Sequence, residues 1–288
     1  MRNSSLEPRN TLGAGDRTLG PDPVLVGVLN VTPDSFSDGG DFLVPEKAAS
    51  RAAAMLDEGA EIIDVGGEST RPGSDPVPQE EEARRVVPVI RAILADRPDA
   101  VISIDTYRAA TAGVALAAGA RVVNDVTALR GDPRMADVVA GSGCPVVLMH
   151  MLGEPKTMQR DPRYEDVVRE VRCFLAARAE HAFAAGVERE NIILDPGIGF
   201  GKTLEHNLTL LRHLDALVEL GFPVLVGASR KRFIGRITGV EEARERVFGT
   251  VAANVLAYER GATLFRVHDV RANREALAVA LAVRYGAR

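Results

Sequence analysis

The sequence predicts a single-domain α/β protein, a (β/α)8 TIM barrel over residues 23–288 that follows a flexible N-terminal tail at residues 1–22. Two observations favour this fold. The length of 288 residues and the hydrophobic content of 46% suit one core of barrel size. From residue 24 onward, short apolar runs alternate with longer amphipathic segments, as in βα units that build a parallel sheet. The tail is polar and shows no hydrophobic period.

The predicted strands are short runs rich in valine, isoleucine and leucine, as expected of strands that are buried on both faces. In chain order they are PVLVGVLN, EIIDVGGES, AVISIDTY, ARVVNDV, PVVLMH, NIILDPGIGF, PVLVGASRK and TLFRVHD. The segments between them have helical spacing, most clearly at 45–60 and 164–186, and both of these reach a glycine where a helix end is expected. An open doubly wound sheet is the alternative, but no G-x-G-x-x-G motif opens a helix.

The composition argues against several classes of function. A net charge of −5 provides no basic field, so we expect neither nucleic acid nor a membrane surface as a partner. The chain has no apolar run of about 18 residues and no secretory signal pattern, which predicts a cytoplasmic protein. Cys144 and Cys173 lie in hydrophobic contexts without metal or redox spacing, so we interpret both as buried thiols.

Polar side chains at the predicted strand ends indicate a site, because active sites of this fold lie at the carboxyl ends of the strands. Each predicted strand ends in polar or ionisable residues, whereas the amino ends show no such bias. In chain order these residues are Asn30, Asp64, Glu68, Ser69, Thr70, Arg71, Asp105, Asn124, Asp125, His150, Asp195, Ser229, Arg230, Lys231, Arg266, His268 and Asp269. We therefore interpret Asn30 as a site residue and the loop after it, VTPDSFSDGG, as a substrate loop or lid.

Four of these residues form what we call the heterocycle set: Asp105, Asn124, Asp195 and Lys231. Carboxylates accept parallel N–H bonds, an amide donates and accepts, and an ammonium donates, which together suit a flat, nitrogen-rich ring. Only four of the 35 basic residues are lysines, so this chain uses arginine for ordinary surface charge and a lysine such as Lys231 indicates a specific role. A buried ion pair between Asp105 and Lys231 is the structural alternative. Met149 could provide an apolar wall for the ring.

A second group, the anion set, consists of Asn30, Arg71, Arg266 and His268. Two guanidinium groups and an imidazole suit phosphate or pyrophosphate, and the Asn30 oxygen suits a Mg²⁺ ion that bridges phosphate oxygens. The sequence contains no nucleophile with a paired base. It therefore predicts an enzyme that positions two substrates and stabilises the charge of a leaving group without covalent catalysis.

Nine segments closely resemble the dihydropteroate synthase family, the folate-pathway enzymes that sulfonamides inhibit. They are GVLNVTPDSFSDGG, DVGGESTRPG, SIDTYR, VNDVTAL, LMHM, GEPKTMQ, LDPGIGFGK, GASRKRFIG and FRVHDV. The resemblance implies a (β/α)8 barrel, a homodimer and a requirement for Mg²⁺. It also implies condensation of 6-hydroxymethyl-7,8-dihydropterin diphosphate with 4-aminobenzoate to give 7,8-dihydropteroate and diphosphate.

The resemblance further implies roles for individual residues. It places Asp105, Asn124, Asp195 and Lys231 around the pterin with Met149 and Phe200, and Asn30, Arg71, Arg266 and His268 around the diphosphate and Mg²⁺. It places Thr70, Arg71, Pro72, Ser229 and Lys231 around 4-aminobenzoate, and makes Asp105, Lys231, Arg266 and His268 the catalytic residues. One alternative is a methyltetrahydrofolate-binding methyltransferase, which would not need Arg266 and His268 or the STRPG loop. The other is a non-catalytic pterin-binding paralogue, which would be expected to have lost an arginine or the lysine of the site.

Overall fold

The computed structural model describes residues 13–14, 17–18, 22–31, 44–69, 77–154 and 156–286. Within these residues, eight parallel strands form one sheet. They are β1 (Val24–Asn30), β2 (Ile62–Gly66), β3 (Val101–Asp105), β4 (Val122–Asp125), β5 (Val146–Met149), β6 (Ile192–Asp195), β7 (Leu225–Val226) and β8 (Leu264–Val267). Each strand lies inside one of the predicted runs.

The sheet closes on itself. Neighbouring strands pair in the order β6-β5-β4-β3-β2-β1-β8-β7. A parallel bridge between Leu194 of β6 and Val224, just before β7, joins the two ends, and the Leu194 amide donates to the Pro223 carbonyl at 2.9 Å. The (β/α)8 barrel prediction is therefore confirmed, and the open-sheet alternative is excluded.

Helices connect the strands on the outside of the barrel, since a parallel sheet needs crossover connections. Those in the described ranges are α1 (Val44–Asp57), α2 (Gln79–Asp96), α3 (Ala109–Ala117), α4 (Met135–Ser142), α5 (Val167–Ala184), α6 (Leu204–Arg212), α7 (Asp215–Val218), α8 (Arg232–Thr238), α9 (Val247–Glu259) and α10 (Val270–Tyr285). None of the helices in this part of the chain is long and apolar enough to cross a membrane.

Helix α5 illustrates how the sequence sets these elements. Asp166 caps the start of this helix, because its side chain accepts a hydrogen bond from the Arg169 amide at 3.0 Å. The helix ends just before Gly186, which has a φ of 96°. Its buried positions recur at helical spacing and are Val167, Val171, Leu175, Ala179 and Ala182. Cys173 lies off this stripe and is exposed, so the prediction that it is a buried thiol was wrong, whereas Cys144 is buried as expected.

Side chains alternate between the helices and the barrel interior along each strand. Residues such as Leu25, Ile63 and Ile102 face outward and pack with the helices in one large core. The opposite parity faces inward and forms a second apolar cluster, which we call the floor: Val24, Val26, Ile62, Val101, Val122, Val147, Ile193, Leu225 and Leu264. On five strands the next inward position toward the carboxyl end is polar, so the site lies directly above this apolar layer; these residues are Asp64, Ser103, Asn124, Asp195 and Arg266.

The predicted tail contains one short antiparallel pairing, between Gly13–Ala14 and Arg17–Thr18. Most of residues 1–21 lies outside the described residues, so a flexible tail remains a prediction.

Candidate active site

The guanidinium of Arg266 lies at the centre of the site and joins three strands. Its Nε donates to Asp64 Oδ2 at 2.6 Å, and its Nη2 donates to Asp105 Oδ2 at 2.7 Å. Asn124 Nδ2 donates to the same oxygen of Asp64 at 3.2 Å. Together with Asp195, these residues form what we call the polar cluster. It draws on β2, β3, β4, β6 and β8.

The carboxylates of the polar cluster are buried and incompletely paired. Asp64 is 0% exposed and Asp105 is 7% exposed, and within the described residues neither Asp64 Oδ1 nor Asp105 Oδ1 has a hydrogen-bond partner. Burial raises the pKa of Asp105 to about 7, because lost hydration outweighs the attraction of Arg266. Burial disfavours the Arg266 charge, but Asp64 and Asp105 outweigh this effect and raise its pKa. The cluster therefore offers unused acceptors to N–H donors of a ligand.

Asp195 approaches the cluster from β6. Its Oδ1 accepts from the Gly197 amide at 2.7 Å, and burial raises its pKa against the opposing effect of this bond and of Lys231. Beside it in the sheet register lies Met149 of β5. Met149 belongs to an apolar wall with Val126, Met151, Met158, Tyr107 and Phe200. This wall provides flat contacts next to the hydrogen-bonding groups.

Lys231 reaches the site across the loop that follows β6. Its Nζ lies 4.2 Å from the Phe200 ring centroid and donates to the Ile198 carbonyl. A Cβ atom on Gly199, which has a φ of +84°, would lie 2.8 Å from Lys231 Cδ. Glycine is therefore needed here both for the backbone conformation and for the passage of the lysine. Burial lowers the pKa of Lys231 to about 7.

Side chains from other elements fix the loop after β6. Asn207 Oδ1 accepts from the Gly199 amide at 2.7 Å, and Gln159 Nε2 donates to the Gly199 carbonyl at 2.5 Å. Tyr164 Oη donates to the Gly201 carbonyl at 2.8 Å. Because its backbone groups are bound on both sides, the loop is a preorganised support for Phe200.

Lys202 stabilises the same loop from behind. It is only 3% exposed, and its Nζ lies 3.0 Å from the Phe200 carbonyl and 2.9 Å from His150 Nδ1. Burial and the nearby cations lower the pKa of His150 to about 3, so its imidazole is neutral and Nδ1 can accept. His150 thus faces Lys202 behind the loop rather than the barrel interior.

His268 and Ser229 form a hydrogen-bonded pair at the mouth of the barrel, which is the opening at the carboxyl ends of the strands. Ser229 follows β7 and His268 follows β8. The His268 amide donates to Ser229 Oγ at 3.1 Å, and Ser229 Oγ lies 2.9 Å from His268 Nδ1. If the Ser229 hydroxyl donates to Nδ1, the imidazole carries its proton on Nε2.

Asn30 fits a role as a metal ligand. It pairs with Gly66 of β2, and a Cβ atom on Gly66 would lie 3.9 Å from Asn30 Oδ1 and 3.8 Å from Asp105 Oδ2. The glycine keeps a cradle open between two oxygens of the kind that Mg²⁺ prefers. Among the described residues, no group of three or more His, Cys, Asp or Glu side chains could hold a metal ion. Asn30 and Asp105 therefore offer two oxygens at this point, and an ion there would need further ligands from a bound substrate or solvent.

Comparison with known proteins assigns the family. The family model for pterin binding enzymes matches residues 26–268. A dihydropteroate synthase of Synechocystis sp. is 49% identical over 256 residues, which cover 89% of this chain and 88% of that relative. The chain belongs to the dihydropteroate synthase family.

Two solved structures of dihydropteroate synthase from Xanthomonas albilineans resemble this structure throughout. One, with 4-aminobenzoic acid, has a TM-score of 0.90 at 48% identity and covers 96% of this chain and 98% of that chain. The other, in complex with 7,8-dihydropteroate, has a TM-score of 0.86 at 46% identity and covers 95% of this chain and 98% of that chain. The fold of this family member is thus shared along almost its whole length.

The structure brings most of the predicted residues of this dihydropteroate synthase family member together. The heterocycle set, Met149 and Phe200 lie around one space. Arg266, predicted for the anion set, directly contacts Asp105 of the heterocycle set, so the two sets are joined. Residues 32–40 of the loop after Asn30, together with Thr70, Arg71 and Pro72, lie outside the described residues.

Two residues of the site were missed from the sequence. Asp64 was noted as a strand-end residue but was given no role, although it pairs with Arg266. Lys202 was not assigned either. The scarcity of lysine was a usable signal for Lys202, and the two-residue spacing between Asp64 and Gly66 was a usable signal for an inward-facing Asp64.

Proposed function

We propose that this chain condenses 6-hydroxymethyl-7,8-dihydropterin diphosphate with 4-aminobenzoate to give 7,8-dihydropteroate and diphosphate. The observation that carries the proposal is the buried polar cluster, in which one oxygen each of Asp64 and Asp105 has no hydrogen-bond partner among the described residues. Buried carboxylate oxygens without a donor are costly unless a ligand supplies one. The Xanthomonas albilineans relatives with 4-aminobenzoic acid and with 7,8-dihydropteroate support both the second substrate and the product.

The pterin would bind with its N–H edge against Asp105 and Asp195 and its faces against Met149 and Phe200. A carboxylate that accepts two parallel N–H bonds recognises both the spacing and the polarity of this edge. Lys231 would donate to an acceptor of the ring. Asn124, whose amide donates to Asp64, can both donate hydrogen bonds to the ring and accept them from it.

The reaction would proceed through loss of diphosphate. The bond between the exocyclic carbon and the diphosphate oxygen breaks, and its electron pair leaves with the diphosphate. The pterin ring delocalises the resulting cation, which Asp105 and Asp195 stabilise. Arg266 and the Nε2 proton of His268 would stabilise the departing anion. The aniline nitrogen of 4-aminobenzoate then attacks the carbon and loses a proton. This amine is neutral near pH 7, so a strong base is unnecessary.

The family resemblance assigns further residues around the polar cluster to the metal ion and to the two substrates. Asn30 would hold a Mg²⁺ ion, which neutralises diphosphate charge when bound. Arg71 would bind the diphosphate and, together with Thr70, Pro72, Ser229 and Lys231, would surround 4-aminobenzoate. Ser229 lies against His268, so the two substrates would meet between β7 and β8.

We infer that the protein acts as a cytoplasmic homodimer. Exposed apolar side chains support this inference on α9 and the neighbouring helices α8 and α10. The largest exposures are those of Phe248 at 88% and Val283 at 82%, with Ile237, Leu256 and Val279 also exposed. Phe248 and Leu256 share one face of α9, and Val279 and Val283 share one face of α10, which suits an interface with a second copy. Size-exclusion chromatography with light scattering measures the state directly.

The decisive experiment measures pyrophosphate release from the pterin diphosphate in the presence of Mg²⁺. With 4-aminobenzoate present, we expect 7,8-dihydropteroate to form in the same amount as pyrophosphate, and a sulfonamide to compete. No release at all, or release without 7,8-dihydropteroate when 4-aminobenzoate is present, would contradict the proposal.

A further inference from the structure

The backbone of Arg230 is unusual for its residue type. Its φ is 58°, in the left-handed region that glycine adopts without penalty and arginine does not. Such a conformation persists where the surroundings fix it. Arg230 lies between Ser229 and Lys231, two residues of the site, so the choice of arginine at this turn requires an explanation from its side chain.

The side chain of Arg230 forms a two-pronged ion pair with Asp269. Nε lies 2.9 Å from Asp269 Oδ2, and Nη2 lies 2.5 Å from Oδ1. The backbone is held as well, because the Arg230 amide donates to Thr250 Oγ1 at 3.0 Å and Arg246 Nη1 donates to the Arg230 carbonyl at 3.0 Å. All these contacts lie outside the space assigned to substrates.

This ion pair lies where the sheet no longer holds the two strands together. The ladder between β7 and β8 contains only the pairs Leu225–Leu264 and Val226–Phe265. Beyond it, consecutive residues pair through side chains: Ser229 with His268, and Arg230 with Asp269. These two contacts replace the missing backbone pairing at the mouth.

We propose that Arg230 is a positioning residue, whose pairing with Asp269 fixes the distance between Lys231 and His268. The inference rests on the proposed function, in which Lys231 contacts the pterin and His268 contacts the leaving diphosphate. The left-handed turn at Arg230 directs Ser229 toward His268 and Lys231 toward Phe200. Displacement of either strand end by about 1 Å would separate groups that must act on one substrate, which can lower the rate by about 100-fold.

Arg230→Gly tests this inference, because glycine tolerates the positive φ while removing the ion pair. We expect kcat/KM for the pterin diphosphate to fall by roughly 10- to 100-fold, mainly through kcat, with little change in Tm. Arg230→Lys should recover part of the lost kcat/KM, because lysine keeps the positive charge but cannot form the bidentate pair with Asp269. Asp269→Asn should match Arg230→Gly, and the double variant should lose no more than either.

The control is Ala128→Gly, which replaces another left-handed residue, with a φ of 53°, away from Arg230. It should leave the kinetics unchanged. Wild-type kinetics in Arg230→Gly, or losses in the two single variants that add in the double variant, would overturn the inference.

A second readout is independent of turnover. The imidazole NMR signals of His268 should shift in Arg230→Gly but not in Ala128→Gly, and unchanged signals would also overturn the inference. Wild-type enzyme without pyrophosphate release would instead contradict the proposed function, and the His268 signals would then still decide whether Arg230 positions this residue.

Discussion

The floor and the polar cluster are adjacent, similarly buried layers with opposite chemistry. The floor consists of aliphatic side chains from all eight strands, and their burial stabilises the fold at about 25 cal/mol per Å² of apolar surface. The polar cluster places three carboxylates around Arg266, with two oxygens unpartnered in the described part of the chain. Burying those charges costs stability. The comparison indicates that one layer holds the barrel together while the next one is arranged for a ligand.

The largest effect is expected in the floor. Ile193 is 1% exposed, so Ile193→Ala should lower the free energy of unfolding by about 2–5 kcal/mol, through lost burial and the cavity left behind. Chemical denaturation measures this change. The kcat/KM of the folded fraction should stay near wild type. A kcat/KM that falls in step with stability would show that the two layers are not separable.

The next largest effect is expected in the polar cluster. Asp195→Asn keeps the shape but removes the charge that would pair with the pterin edge. A charge-assisted bond contributes about 1.5–3 kcal/mol, so kcat/KM should fall roughly 10- to 100-fold. Tm should not fall, because burial already disfavours this charge. Asp215→Asn, at an exposed position of α7, is the matched control. Near-normal turnover in Asp195→Asn would assign Asp195 a structural role.

Arg266→Lys sharpens the comparison within the cluster. The sequence predicts a selective loss of diphosphate binding, because the division into two sets assigns Arg266 to the anion. Its contacts with Asp64 and Asp105 lead us to expect that pyrophosphate and an unphosphorylated pterin both bind more weakly, by about tenfold for a loss near 1.4 kcal/mol. Lys231→Ala should weaken the bare pterin more than pyrophosphate. Calorimetric titrations measure the affinity of each variant for both ligands. Unchanged pterin affinity in Arg266→Lys would support the original division of the site into a heterocycle set and an anion set.

The last prediction concerns the pH dependence of stability. The pKa of Lys231 falls from 10.5 to about 7 on folding, so between these values the unfolded chain binds more protons and stability rises with pH. Below about pH 7 the full penalty of the buried ammonium applies. Lys231→Met removes this penalty, and its Tm advantage over wild type should be larger near pH 6 than near pH 10. A Tm difference that does not change with pH would show that Lys231 titrates normally.

The barrel could be predicted from the sequence because its strands are near-continuous apolar runs, a pattern that depends only on local residues. The layer in which a polar residue lies depends on register between strands. Asp64 pairs with Ser103 of β3, which places it one layer below Asp105, and no local pattern specifies that register. Asp125 is the last residue of β4 and His150 directly follows β5, but the alternation of side chains directs both outward.

Burial of Lys202 could not be predicted for a related reason. Its partner His150 lies 52 residues earlier, at the end of another strand, and the two meet only when β5 and β6 pair. A lysine in a glycine-rich loop is otherwise expected to be solvated. Lys231, by contrast, was assigned from its position at a strand end and Phe200 from a family motif, and the structure brings the two within 4.2 Å.

The way the barrel closes has a consequence for its dynamics. β7 contains two residues, and one bridge, Leu194 to Val224, seals it against β6. Few backbone hydrogen bonds join the strands at this seam, so the exchange of its amide protons with solvent should proceed through local opening rather than global unfolding. Asp195 and Lys231 lie on opposite sides of the seam. A pterin bound to both residues would hold the two sides of the seam together. It should slow amide hydrogen exchange at residues 224–226 and leave the exchange rates of β2 to β4 unchanged.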